Sequence, residues 1–107
     1  MVKYVKSIDK DSDNRTEFLL CDYPYFDGND LLAKIFMNQF GVQIGEKIDG
    51  MYYTIIKAYK DQMEYVFLWH EDVGNSVYCV PQSKQTNERL EHELSTAIDV
   101  LNSMLKK

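Results

Sequence analysis

From Val42 to Val80 the chain alternates between runs rich in Tyr, Ile, Val, Phe and Trp and turn signals two to five residues long. Connections that short cannot return a chain in the parallel sense, which takes about a dozen residues, so consecutive strands must pair as antiparallel hairpins. Asp49-Gly50 reads as a type I′ turn, which needs positive φ at both central residues. Pairing about it sets Ile48 opposite Met51 and Ile44 opposite Ile55. Met51 to Lys60 and Met63 to His70 flank Asp61-Gln62, which sets Ile56 opposite Phe67 and Ile55 opposite Leu68. Glu71 to Asn75 turns the chain again, Ser76 to Val80 forms a last strand, and Pro81 ends it by withholding an N–H.

Upstream, Val2 to Ile8 and Thr16 to Cys21 have strand composition and flank a polar stretch from Asp9 to Asn14, so they form a further hairpin. The loop Asp22-Tyr23-Pro24-Tyr25-Phe26-Asp27-Gly28-Asn29 supplies Asp27 or Asn29 as a helix N-cap. Leu31, Leu32, Ile35, Phe36 and Phe40 then recur on one helical stripe, and Gly41 offers a left-handed stop. A second helix carries Leu90, Leu94, Ala97, Ile98, Leu101, Met104 and Leu105 on one side. Glu88, Glu91, His92, Glu93 and Asp99 lie on the other, with Lys106 and Lys107 closing the helix against its dipole. The reading is a single α+β domain over residues 1–107, an antiparallel sheet of about five strands with two helices, in the order β-β-α-β-β-β-β-α.

Hairpin register divides the central strands into two faces. One holds Val42, Ile44, Ile48, Tyr53, Ile55, Tyr59, Val66 and Leu68, mostly aliphatic, and is expected beneath the helices. The other holds Tyr52, Thr54, Ile56, Ala58, Tyr65, Phe67 and Trp69 and is expected to stay open, because two helices cover one face of such a sheet. An open face of that kind would be a binding surface, unless the C-terminal helix or a second copy covers it. The candidate partner-binding residues are therefore Tyr52, Tyr65, Phe67 and Trp69, with the adjoining acids Glu71 and Asp72.

Seventeen acids against twelve Lys and Arg leave a net charge of −5, which disfavours a nucleic-acid partner and suits a basic protein. No apolar run approaches the ~20 residues of a membrane span, and the N-terminus lacks a signal-peptide core, so a cytoplasmic protein is expected. Cys21 and Cys79 lie in apolar runs and read as reduced core residues. Asp9, Asp11 and Asp13 alternate like the front of a calcium loop, yet the twelfth position is Leu20 and the sixth lacks Gly, which leaves a solvated turn. His70, Glu71 and Asp72 lack a third ligand at metal spacing, and neither Cys sits in a thiol–imidazole motif. No catalytic residue, metal or cofactor is expected, and the chain is read as non-enzymatic.

The stretch from Phe40 to Gly50, the hairpins up to Val80 and the helix that follows resemble bacterial contact-dependent-inhibition immunity proteins in size, acidity and layout. That resemblance implies an inhibitor of a basic, nuclease-type toxin domain that presents acids and aromatics in place of nucleic acid, acting as a monomer or homodimer. Small acidic α+β chaperones of type III secretion are similar in size, charge and a long C-terminal helix, but usually begin with a helix where this chain begins with a strand. An enzyme of unrecognised class using His70, Asp72 or a Cys is the third alternative.

Overall fold

The computed structural model describes residues 1–105, so Lys106 and Lys107 lie outside the described residues. The elements run β1 (Lys3–Asp9), β2 (Arg15–Cys21), α1 (Gly28–Phe40), β3 (Gln43–Asp49), β4 (Tyr53–Lys60), β5 (Met63–His70), β6 (Gly74–Val80) and α2 (Lys84–Leu105), with a short 3-10 turn at Lys10–Ser12. The order is the one expected from sequence, with six strands rather than about five, in a single antiparallel sheet ordered β1-β2-β6-β5-β4-β3. The N-terminal hairpin adds its second strand to β6, so the chain's first and last strands share one half of the sheet. No described helix is long and apolar enough to cross a membrane.

The β4–β5 hairpin has the expected register, Ile56 opposite Phe67 and Ile55 opposite Leu68. Its two-residue turn, Asp61-Gln62, takes φ of 53° and 63°, the doubly left-handed geometry of a type I′ turn. Asp49-Gly50 does not: neither residue has positive φ, and Ile48 pairs with Ile55 instead of Met51. The loop there widens to Gly50–Tyr52 because the Tyr52 carbonyl accepts the Glu71 N–H of the next turn, at 2.9 Å, and is held out of the hairpin. A bulge between Ile44 and Lys47 then shifts the register, so Ile44 pairs with Ala58 and faces opposite to Ile48.

Both helices lie on one face of the sheet. The core joins Phe18, Leu20, Ile56, Ala58, Tyr65, Phe67, Val77 and Cys79 of the strands to Leu32, Phe36, Leu90, Leu94, Ala97 and Leu101 of the helices. Phe36 stands edge-on to Tyr65 and Phe67, with ring centroids 5.7 and 5.1 Å away. The covered face is thus the aromatic one, the reverse of the sequence expectation: of the aliphatic set, Ile48, Tyr53, Ile55, Tyr59 and Leu68 lie on the side without helices, Val66 lies there too but is 1% exposed, and Val42 is in the core. Gly41 ends α1 at φ 74°, its N–H returning to the Met37 carbonyl. Ser83 and Thr86 exchange side-chain and backbone hydrogen bonds at the start of α2, a capping box. Glu93, expected on the outer side of α2, is buried and accepts the Tyr65 hydroxyl at 2.7 Å. Arg89 completes the line from Glu93 to Asp61, at 3.5 and 3.0 Å.

Candidate protein-binding surface

Antiparallel pairing brings the loop after β2, the β3–β4 loop and the β5–β6 turn to the same end of the sheet. Residues 20–33, 48–56 and 70–83, which contain these loops, hold six acids and no Lys or Arg. That count alone exceeds the net charge of the whole chain. Asp27, Asp49, Glu71 and Asp72 are exposed and make no ion pair among the described residues. Asp30 pairs with Lys34 at 2.9 Å, and Asp22 lies 4.0 Å from the N-terminal amine.

The loop after β2 is pinned from below, which fixes what it presents above. Buried Asn75 donates its amide to the carbonyls of Tyr23 and Tyr25, at 2.8 and 3.0 Å. The Tyr23 ring is buried, its hydroxyl donating to the Gly28 carbonyl at 2.9 Å. Burial and the neighbouring Asp27 carboxylate push the Tyr23 phenol up to about 12. Gly28 admits that packing because a Cβ there would lie 2.7 Å from the Tyr23 ring. Trp69 donates its indole N–H to the Pro24 carbonyl at 3.1 Å and meets the Phe26 ring edge-on at 4.9 Å.

With its base held, the loop turns apolar side chains outward. Tyr25 and Phe26 are 54% and 63% exposed, and Met51, Tyr52 and Val73 from the two neighbouring turns are exposed beside them. Large apolar groups on rigid backbone, ringed by carboxylates, provide anchoring area and electrostatic steering together. The Glu71 N–H bond to Tyr52 couples the two outer turns, so the surface is one unit.

Of the residues expected to bind a partner, Tyr52, Trp69, Glu71 and Asp72 meet at this end. Tyr65 and Phe67 do not: both are 0% exposed beneath α1, because Phe36 packs against their rings. Tyr25, Phe26, Met51 and Val73 are also exposed at this end, outside the sequence expectation. Their signal was the loop itself, since Tyr and Phe in a Pro- and Gly-containing connection between acids have no sheet or helix face to bury them.

The groups weighed for chemistry have structural partners. Asp9 caps the 3-10 turn by accepting the Asp11 N–H and lies 3.6 Å from Arg15. His70 accepts the Asp72 N–H on Nδ1 at 3.0 Å. Both cysteines are free thiols. Cys79 is fully buried and 3.3 Å from Asn87 Oδ1, and burial pushes its thiol up, away from the reactive thiolate. Cys21, expected in the core, is half-buried on the open face of the sheet. Among the described residues no three His, Cys, Asp or Glu side chains are grouped to hold a metal. No protein-family model, curated protein or solved structure matches this chain.

Proposed function

We propose that this protein is a non-enzymatic inhibitor that binds a basic protein, of the kind an immunity protein binds in a nuclease-type toxin, through the acidic and aromatic end of its sheet. The reading is carried by the convergence of Asp27, Asp49, Glu71 and Asp72, exposed and without an ion pair among the described residues, with exposed Tyr25, Phe26, Met51, Tyr52 and Val73 on loops held by Asn75 and Trp69. Carboxylates on a rim raise the encounter rate with a cationic partner, and aromatics at the centre hold it. A partner that binds phosphates presents Lys and Arg where such a surface fits, so the inhibitor occupies the site that nucleic acid would use.

The test is affinity capture from the native host, comparing the wild-type chain with Phe26→Ala and with a Glu71→Lys, Asp72→Lys double variant. The expected result is a stoichiometric basic protein whose retention falls with salt, weakens about tenfold for Phe26→Ala, and is lost for the double variant. Relief of that protein's toxicity by co-expression of the wild type alone completes the expectation. Equal capture by all three chains, or absence of a basic partner, would overturn it.

A further inference from the structure

The uncovered face of the sheet carries an apolar row that crosses every strand. Val5, Leu19, Ser76, Leu68, Ile55 and Ile48 are successive cross-strand partners from β1 to β3. Only Ser76 is polar, and it is buried at 2% exposure, whereas Val5 and Ile48 at the two ends are 51% and 37% exposed. Two residues further along each strand the pattern becomes charged at the flanks, with Glu17 on β2 and Lys57 on β4. Those two strands lie symmetrically about the central pair, β6 and β5.

We propose that this face is a homodimer interface, a second copy stacking on it about a two-fold axis that runs parallel to the strands between β5 and β6. Such an axis exchanges left and right while keeping each level along the strands, so β2 lies over β4 of the other copy and β1 over β3. Leu19 then meets Ile55 and Val5 meets Ile48, apolar on apolar. Glu17, which also bonds Arg15, meets Lys57, which also lies 3.6 Å from Glu46. The two lie ~7 Å from the axis, where the roughly 30° rotation between stacked sheets displaces side chains by about 3–4 Å, within the reach of a lysine. An axis perpendicular to the strands instead sets each strand over its own copy and brings none of these pairs together. Six strands spaced ~4.8 Å apart and seven residues long offer roughly 650 Å² on each copy. The total of roughly 1,300 Å² lies within the 1,200–2,000 Å² of stable interfaces.

The same axis leaves both acidic loop ends on one side of the dimer. The inference does not depend on the partner-binding reading, because the loops lie at the end of the sheet and not on this face.

Light scattering on the purified chain is expected to give about twice the 12.6 kDa monomer. A monomeric mass at about 100 µM, far above the micromolar constants of the weakest interfaces of this size, would overturn the proposal. Ile55→Lys is expected to give a monomer with unchanged far-ultraviolet circular dichroism. Glu17→Lys and Lys57→Glu each face like charge with like charge twice per dimer, so each alone should dimerise at least about tenfold more weakly. Mixed together, they place Lys opposite Glu at both positions, and a heterodimer should form. If the single variants dimerise as the wild type does, or the mixture remains monomeric, this axis is wrong.

Discussion

β4 and β5 turn Ile56, Ala58, Met63, Tyr65 and Phe67 toward the helices, and Ile55, Lys57, Glu64, Val66 and Leu68 away from them. Both sets are rich in large apolar residues. What separates them is Lys57 and Glu64, which sit on the uncovered side, Lys57 paired with Glu46 at 3.6 Å. Arg15 plays a similar part further across, bonded to Glu17 and lying 3.8 Å from the centre of the Tyr78 ring. Charged groups on that side keep a helix of the same chain off it. Aromatic rings such as Tyr65 and Phe67 are instead buried where another ring, Phe36, can meet them edge-on.

The sharpest way to break this distinction is to truncate neighbours on opposite faces. Phe67→Ala removes a fully buried ring and is expected to cost about 3–5 kcal/mol, whereas Leu68→Ala, half-exposed on the other side, should cost about 1 kcal/mol or less. Chemical denaturation of the two variants at a concentration dilute enough to hold the chain monomeric reads the difference directly, and equal losses would mean that both faces are covered within the single chain.

The grouping of residues into faces was legible in the sequence, but which group the helices cover was not. Period-2 alternation and the two-residue Asp61-Gln62 connection fixed the β4–β5 register. Aliphatic against aromatic character does not discriminate the covered face, whereas the positions of Lys57 and Glu64 do. Turn chemistry misled in a similar way, since Asp49-Gly50 has the favoured residues yet lacks the left-handed geometry that Asp61 and Gln62 adopt without glycine. Half of the candidate surface was read from the Trp69 to Asp72 stretch and Tyr52. The rest required knowing that β2 lies beside β6, a long-range pairing that brings Tyr25 and Phe26 to turns some 25 and 45 residues later and that hairpin logic does not supply.

A smaller effect is expected where the covered face meets the loop end. Asn29, 2% exposed in the first turn of α1, donates its amide to the Thr54 carbonyl and hydroxyl and to the Phe67 carbonyl, at 3.1–3.3 Å. It ties the helix to β4 and β5 by polar bonds, where Phe36 holds it to β5 by ring packing. Asn29→Ala should cost about 1–3 kcal/mol, less than Phe67→Ala, because the strand carbonyls retain ladder partners. A loss as large as that of Phe67→Ala would mean that the polar end of this face, and not its aromatic centre, holds α1 in place.

The smallest effect belongs to the rim, where β1 meets α2. Glu91 accepts the Tyr4 hydroxyl at 2.8 Å and lies 3.2 Å from the Lys6 ammonium. The Tyr4 hydrogen bond, more than Lys6, holds its carboxyl below the usual range. A lowered folded-state value means that the unfolded chain takes up the proton first as pH falls. The stabilisation is therefore complete above the ordinary carboxylate range and is lost as pH drops through the lowered value. With its side chain 31% exposed, solvent screens the pair, and the whole effect should stay below about 1 kcal/mol. Glu91→Gln should accordingly be less stable than wild type at neutral pH, with the gap closing as the pH falls below the ordinary carboxylate range, as read from denaturation midpoints. A gap that persists undiminished in acid would show that Glu91 supports β1 through packing of its chain, and the rim would then resemble the covered face rather than the charged, open one.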